Sequence, residues 1–198
     1  IEYKFDGTRA PLHMDRDKTM KKSSFDQQDM FATEKEILFT KTFTRNLEET
    51  THQFPDIVEA ANVQIDATSV ILDGEAIGYN KETGKFLPFQ ETIQRKRKHG
   101  IADAAKQIPL KYMVFDILYL NGESLVDMPL IERRKLLDSI IKKGEVIVVD
   151  EYTKTEDAKV VAKESKDALA KGLEGIMIKK VNSPYQAGAR NFTWVKMK

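Results

Sequence analysis

An α+β fold with antiparallel sheets is what this sequence predicts, and three observations carry the expectation. Short β-branched segments outnumber the stretches of helical period. Their order is irregular rather than an alternation of strand and helix, which argues against a parallel sheet. The 198 residues, 41% apolar and 32% charged, suffice for one buried core with sheets and helices layered around it.

The elements can be justified in chain order. In Glu2-Tyr3-Lys4-Phe5 the lysine alternates with aromatic residues and so points to the opposite face, and Asp6-Gly7 turns the chain. Residues 14–36 are polar without a clear period and read as an extended hairpin or an insertion. Pro55–Ile65 has the period of a helix with Val58, Ala60 and Ala61 inward. Ser69–Tyr79 is apolar at Val70, Leu72 and Ile77 and turns at Asn80–Gly84. Lys111–Leu120 reads as a strand ending at the turn dipeptide Asn121-Gly122. Pro129–Lys143 sets Leu130, Arg134, Leu137 and Ile141 on one helical face, with proline near the start and Gly144 as the stop. Glu145–Tyr152 is short and β-branched. Thr155–Lys171 reads as a helix with Thr155 as N-cap and Gly172 as the stop; Ala158, Val161, Ala162, Ala168 and Leu169 face inward. Gly175–Val181 and Trp194–Lys198 complete the strands. With no repeat and no Pro/Gly-rich linker, one domain over residues 1–198 is expected, and the start at Ile1 suggests a fragment or a processed chain.

Composition excludes several classes of function. There are no cysteines, which removes disulfides, thiol nucleophiles and Cys-ligated metals. His13, His52 and His99 are too scattered to suggest a metal site. Apolar runs such as Tyr112–Phe115 fall far short of the roughly 20 residues of a membrane span or the roughly 7–15 of a signal-peptide core. The formal net charge is only +1, but Lys85–Lys111 holds seven basic residues against two acidic, and Glu174–Lys198 five against one. Such asymmetry permits a polyanionic partner.

Candidate chemistry begins at Lys4. A lysine near another cation, here Arg9, in a partly dry pocket has its pKa lowered, which makes an amine nucleophilic. An exposed lysine beside an Asp-Gly turn is the plainer alternative. Four further elements shift the weighting. Asp73-Gly74-Glu75 places two acids at a strand end. Asp116, after Phe115, is an acid in an apolar strand, costly unless paired. Glu174-Gly175 opens a buried strand, and Lys196 and Lys198 share one strand face. One nucleophilic amine, several carboxylates and several cations suit phosphoryl or nucleotidyl transfer.

The ordered set Lys4-Phe5-Asp6-Gly7-Thr8-Arg9, Asp73-Gly74-Glu75, Phe115-Asp116, Glu174-Gly175 and Lys196-Met197-Lys198 resembles the motifs of the covalent nucleotidyltransferases, above all ATP-dependent DNA ligases of the archaeal and eukaryotic replicative type. Phe43-Thr44-Arg45-Asn46-Leu47-Glu48, Pro55-Asp56-Ile57 and Pro88-Phe89-Gln90 add to the likeness, which spans essentially the whole chain. It implies an ATP-grasp-like adenylation fold, two antiparallel sheets flanked by helices and enclosing a nucleotide. Lys4 would attack the α-phosphorus of ATP and hold AMP. Glu2 would accept a hydrogen bond from the adenine amino group, favouring ATP over GTP, and Phe115 would stack on the base. Arg9 and Arg45 would contact ribose, phosphate or a DNA end. Glu75 would bind ribose or metal, Glu174 would bind Mg²⁺, and Arg190, Lys196 and Lys198 would hold phosphate. Arg95, Lys96, Arg97 and Lys98 could equally be a DNA-contacting patch or a solvated face.

The implied partners are nicked double-stranded DNA and an OB-fold domain of the same polypeptide, which is absent here along with the N-terminal DNA-binding domain of larger ligases. A monomeric, intracellular protein is expected, with no membrane partner. Arg9 and Arg45 are 36 positions apart, longer than is usual for such ligases, and Asp15–Glu36 reads as extra sequence. An RNA ligase or capping enzyme is the alternative within the superfamily, and a catalytically silent nucleic-acid-binding module is the alternative outside enzymes.

Overall fold

Side-chain alternation divides the strands between two sheets in the computed structural model, which describes residues 1–21, 36–96, 108–188 and 192–198. In chain order the strands are β1 (Glu2–Lys4), β2 (Thr8–Arg9), β3 (Leu12–Lys21), β4 (Glu36–Thr42), β5 (Ser69–Gly78), β6 (Leu110–Leu120), β7 (Glu123–Ser124), β8 (Ile147–Val149), β9 (Gly175–Lys179) and β10 (Trp194–Met197). The α-helices are α1 (Pro55–Gln64), the short α2 (Phe89–Thr92), α3 (Leu130–Ile140) and α4 (Ala158–Ala170). Among the described residues, a three-stranded sheet has the order β1-β9-β10. A seven-stranded sheet has the order β4-β3-β5-β6-β7, with β2 added on β5 and β8 on β6. The fold is therefore α+β and its ladders are antiparallel, except for β8, which runs parallel to β6.

Two apolar clusters hold these layers. Leu12, Leu72, Ala76, Tyr112 and Val114 of the larger sheet are buried against Ile57 and Ala61 of α1 and Leu137 and Ile140 of α3. A second cluster, Phe5, Ile77, Met113, Ala168, Leu173 and Ile176, ties α4 and the smaller sheet to the larger one. Each fully buried aliphatic or aromatic side chain contributes about 1.5–3 kcal/mol, so both sheets are fixed relative to each other by packing as well as by chain connection. No helix among the described residues is long and apolar enough to cross a membrane.

Several boundaries differ from the sequence expectation for identifiable reasons. α3 stops at Ile140 rather than Lys143, because Ile141 turns extended and bridges Ile65, and the Lys142 N–H bonds the Gln64 carbonyl at 2.7 Å. Asp157, not Thr155, caps α4 by accepting from the Lys159 N–H at 2.8 Å; the Thr155 hydroxyl instead accepts from the Asp157 N–H. Leu169 is 52% exposed, and the buried side of α4 is narrowed to Ser165 and Ala168. Only Ile147–Val149 of the segment Glu145–Tyr152 is strand. The ends of Asp15–Glu36 form a hairpin ladder, with Asp15 opposite Phe39, Lys21 opposite Glu36 and a bulge between Asp15 and Thr19.

The acid within β6 is paired, as burial requires. Arg133 of α3 donates to both oxygens of Asp116, at 2.7 and 2.9 Å, and both side chains are fully buried. Arg133→Met removes the partner and leaves the carboxylate buried. Its expected cost is about 3–5 kcal/mol of unfolding free energy, read from the urea midpoint; an unchanged midpoint would show that Asp116 finds compensation elsewhere.

Candidate active site

The smaller sheet gathers the site. Across an antiparallel ladder, directly opposed residues share a face, and faces alternate along each strand. Glu2 lies opposite Met177 and Lys4 opposite Gly175; Trp194 lies opposite Lys179 and Lys196 opposite Met177. Glu2, Lys4, Lys179, Trp194 and Lys196 therefore share one face. The other face carries Tyr3, Ile176 and Ile178, which join the apolar cluster over α4. Gly175 makes this arrangement possible: its φ is +137°, and a Cβ there would stand 2.1 Å from the Met197 carbonyl oxygen.

Lys4, Glu174 and Lys198 converge. The Lys4 ammonium pairs with Glu174 Oε2, and Lys198 Nζ lies 3.0 Å from Glu174 Oε1. Burial, followed by the neighbouring Lys198 charge, pushes the Lys4 amine below the ordinary lysine range; Lys196 adds to this, while Glu75 and Asp6 oppose it. That direction favours a free amine. Glu75, on β5, accepts from the Gly7 N–H at 3.3 Å. Its carboxyl is pushed above the usual range by burial, an effect the Lys4 charge counters.

Arg9 is held rather than free. It donates to both oxygens of the buried Asp73, at 2.9 and 2.5 Å, and to the Tyr185 hydroxyl at 2.8 Å. Tyr185 in turn donates to Asp73 Oδ2 at 2.9 Å and meets Trp194 edge to face at 5.7 Å. Glu2 is buried between two cations: Lys179 pairs with Oε2, and Arg134 Nη1 lies 3.6 Å from Oε1. Arg134 also donates to the Phe115 carbonyl at 3.1 Å. Lys179, Arg134 and Tyr185 were not recognised as site residues in the sequence; for Lys179, its two-residue spacing from Met177 on a buried strand was the available signal.

Arg45 is exposed in the turn after β4. Arg95 and Lys96 lie in the 3₁₀ turn Ile93–Lys96, and Arg97, Lys98 and Arg190 fall outside the described residues. Among the described residues no three or more His, Asp or Glu side chains converge as a metal cage. Glu75 and Glu174 both bear on Lys4, and so small a carboxylate set would suit an ion that takes most of its oxygens from phosphate and water, as Mg²⁺ does.

The chain matches the ATP-dependent DNA ligase domain over residues 39–198, and it belongs to that family. It is 43% identical over 198 residues to the "Probable DNA ligase" of Dictyoglomus turgidum and 38% identical over 199 residues to the "DNA ligase" of Caldivirga maquilingensis. Each alignment takes in 100% of this chain and 30% of the relative, so the chain spans about a third of the length of the curated relatives it matches. Among solved structures, the mycobacterial DNA ligase D complexed with ATP and MES has the same fold, with a TM-score of 0.66 and 23% identity over 98% of this chain and 52% of that one. The Chlorella virus DNA ligase-adenylate gives 0.62 and 17%, covering 100% of this chain and 61% of that one.

Because Lys198 helps depress the Lys4 amine, Lys198→Ala should raise the Lys4 pKa and lower its reactivity at neutral pH. The pH dependence of Lys4 acylation, followed by peptide mass mapping, should move to higher pH; a midpoint that stays or falls would remove Lys198 from this role.

Proposed function

We propose that this domain is the adenylation unit of an ATP-dependent DNA ligase and that Lys4 is its nucleophile. The observation that carries the reading is the convergence of Lys4, Glu174 and Lys198 on one sheet face, with the Lys4 amine pushed below its ordinary range. The neutral Nζ attacks the α-phosphorus of ATP, a nitrogen–phosphorus bond forms, and the bond to the leaving pyrophosphate breaks with its electron pair. Lysyl-AMP results. Lys196 and Lys198 offset the charge on the phosphates, with Arg190 assigned to the same task by the family resemblance. Lys198 exchanges its bond to Glu174 for the incoming phosphates.

Glu75 and Glu174 are the residues that would hold Mg²⁺. The ion, when bound, supplies charge neutralisation to the phosphates. Phe115 offers a flat apolar face to the adenine and Glu2 an acceptor for its amino group, while Arg9 and Arg45 serve the ribose, the phosphate or the DNA end. In the longer protein, with an OB-fold domain alongside this one, AMP passes to the 5′-phosphate at a DNA nick and the 3′-hydroxyl displaces it. The 30% share of the relatives' length supports a larger protein, and a nicked-DNA substrate supports an intracellular enzyme of DNA replication, repair and recombination.

The test is the intact mass of the chain before and after ATP and Mg²⁺. One AMP gained at Lys4, reversed by pyrophosphate, prevented by a chelator and absent in Lys4→Ala, is the expected result. Failure of the chain to gain AMP, both alone and with the OB-fold domain supplied, would leave a DNA-binding module without this chemistry. Glu2→Gln should reduce the preference for ATP over GTP by about tenfold, as expected when a hydrogen bond to a charged group, worth ~1.5–3 kcal/mol, is weakened.

A further inference from the structure

Lys179 takes no part in the chemistry assigned to Lys4, yet its side chain is only 4% exposed. Its ammonium pairs with Glu2 Oε2 and lies 4.7 Å from the centre of the Phe115 ring and 4.2 Å from that of Trp194. The two rings meet edge to face, with centroids 6.4 Å apart and planes at 81°. They form two walls of a corner, and Glu2 closes the third side. The ladder dictates this, because Lys179 lies opposite Trp194 and shares its face with Glu2. A carboxylate and two π-faces together compensate a buried cation.

The same groups would receive a nucleotide base. Glu2 is an acceptor for an exocyclic amino group, and the aromatic rings are surfaces for a flat heterocycle. The ammonium now engages both. The ammonium pairs with Glu2 Oε2 and lies over both rings, so a base on the same groups would meet it. Base and ammonium are therefore alternatives.

We propose that Lys179 is the resident occupant of the base subsite and that an amino-bearing purine enters by exchanging with it on Glu2, Phe115 and Trp194. The inference rests on the reading of Glu2 and Phe115 as base contacts. In the exchange Glu2 gives up a lysine N–H and gains an amino N–H, while the rings give up a cation and gain a stacked base. Arg134, behind Glu2 and bonded to the Phe115 carbonyl, remains as counter-charge. A purine with a carbonyl at the same place offers Glu2 no donor, so it competes poorly with the lysine. Lys179 thereby sharpens the choice of base.

Trp194 is the only tryptophan of the chain and reports the corner by its fluorescence. Adenosine, which has base and ribose but no phosphate, is the probe. In the wild-type chain adenosine should change Trp194 emission and raise the acylation of Lys179 by an amine reagent, whereas a lysine that stays as a wall would be shielded. Lys179→Met should bind adenosine at least about fivefold more tightly, the scale of one lost cation–π competitor, and Lys179→Arg should stay near wild type. Unchanged or reduced Lys179 labelling with adenosine bound, or no tightening in Lys179→Met, overturns the proposal. The labelling result stands even if the Met variant does not fold. Lys4 that loads AMP normally while adenosine leaves Trp194 unmoved sinks the exchange alone. Lys4 that never loads, even with the OB-fold domain present, sinks the reading beneath it.

Discussion

The site depends on one backbone contact, the close approach of β10 to Gly175. Only a residue without a Cβ fits there, 2.1 Å being the separation a Cβ would have from the Met197 carbonyl oxygen. This contact lets β9 sit between β1 and β10, and so brings residues from the start and the end of the sequence onto one face. Lys4 and Glu174 are 170 positions apart. Loop closure on that scale carries an entropic cost that grows slowly with length, and it is offset here by the apolar cluster of Phe5, Ile176 and Ala168 beneath the sheet. Lys4 is thus held by a packed layer rather than by a loop, which would suit the proposed chemistry and its need for a fixed angle of attack.

The charges of the site compensate one another. Lys4 and Lys198 share Glu174, Lys179 and Arg134 share Glu2, and Arg9 is matched to Asp73. Each acid lies against cations that a polyanionic ligand could take over. Pairing of this kind avoids the desolvation penalty of an isolated buried charge and keeps the donors oriented before a ligand arrives. On the proposed function a nucleotide would substitute one set of partners for another, and the sheet itself need not rearrange.

Much of this was legible in the sequence where the cause is local. Alternation around Tyr3 and Phe5 placed Lys4 on the polar face, the apolar surroundings of Asp116 demanded a partner, Pro55 marked the start of α1, and Gly144 and Gly172 marked approximately the ends of α3 and α4. What was not legible depends on partners distant in sequence. Nothing near Lys179 announces Glu2 or the two rings, because period two gives the face of a residue and not what stands across from it. Arg133 and Arg134 are both buried, although only Arg134 fell on the predicted inward face. The aliphatic stem of arginine lets it enter a core wherever carboxylates and carbonyls await its fork. Tyr185 sits in a stretch with no period at all, and the parallel pairing of β8 is decided by its neighbour β6.

The exposure of the lysines fits their division of labour. Lys4 has a side chain 22% exposed, and its burial is the largest cause of its lowered pKa; a nucleophilic amine has to spend time unprotonated, so partial dryness serves it. Lys198 is 53% exposed and Lys196 is exposed beside it, where they can follow a solvated phosphate chain while still bearing on Lys4 through space. Lys179 is the driest of these, yet it carries a carboxylate and two rings around its head group. Its enclosure is specific where that of Lys4 is partial. A lysine so fully partnered would be a poor nucleophile, because attack would first have to break every one of those contacts, and this physical difference favours Lys4 for the proposed role on a face that holds several.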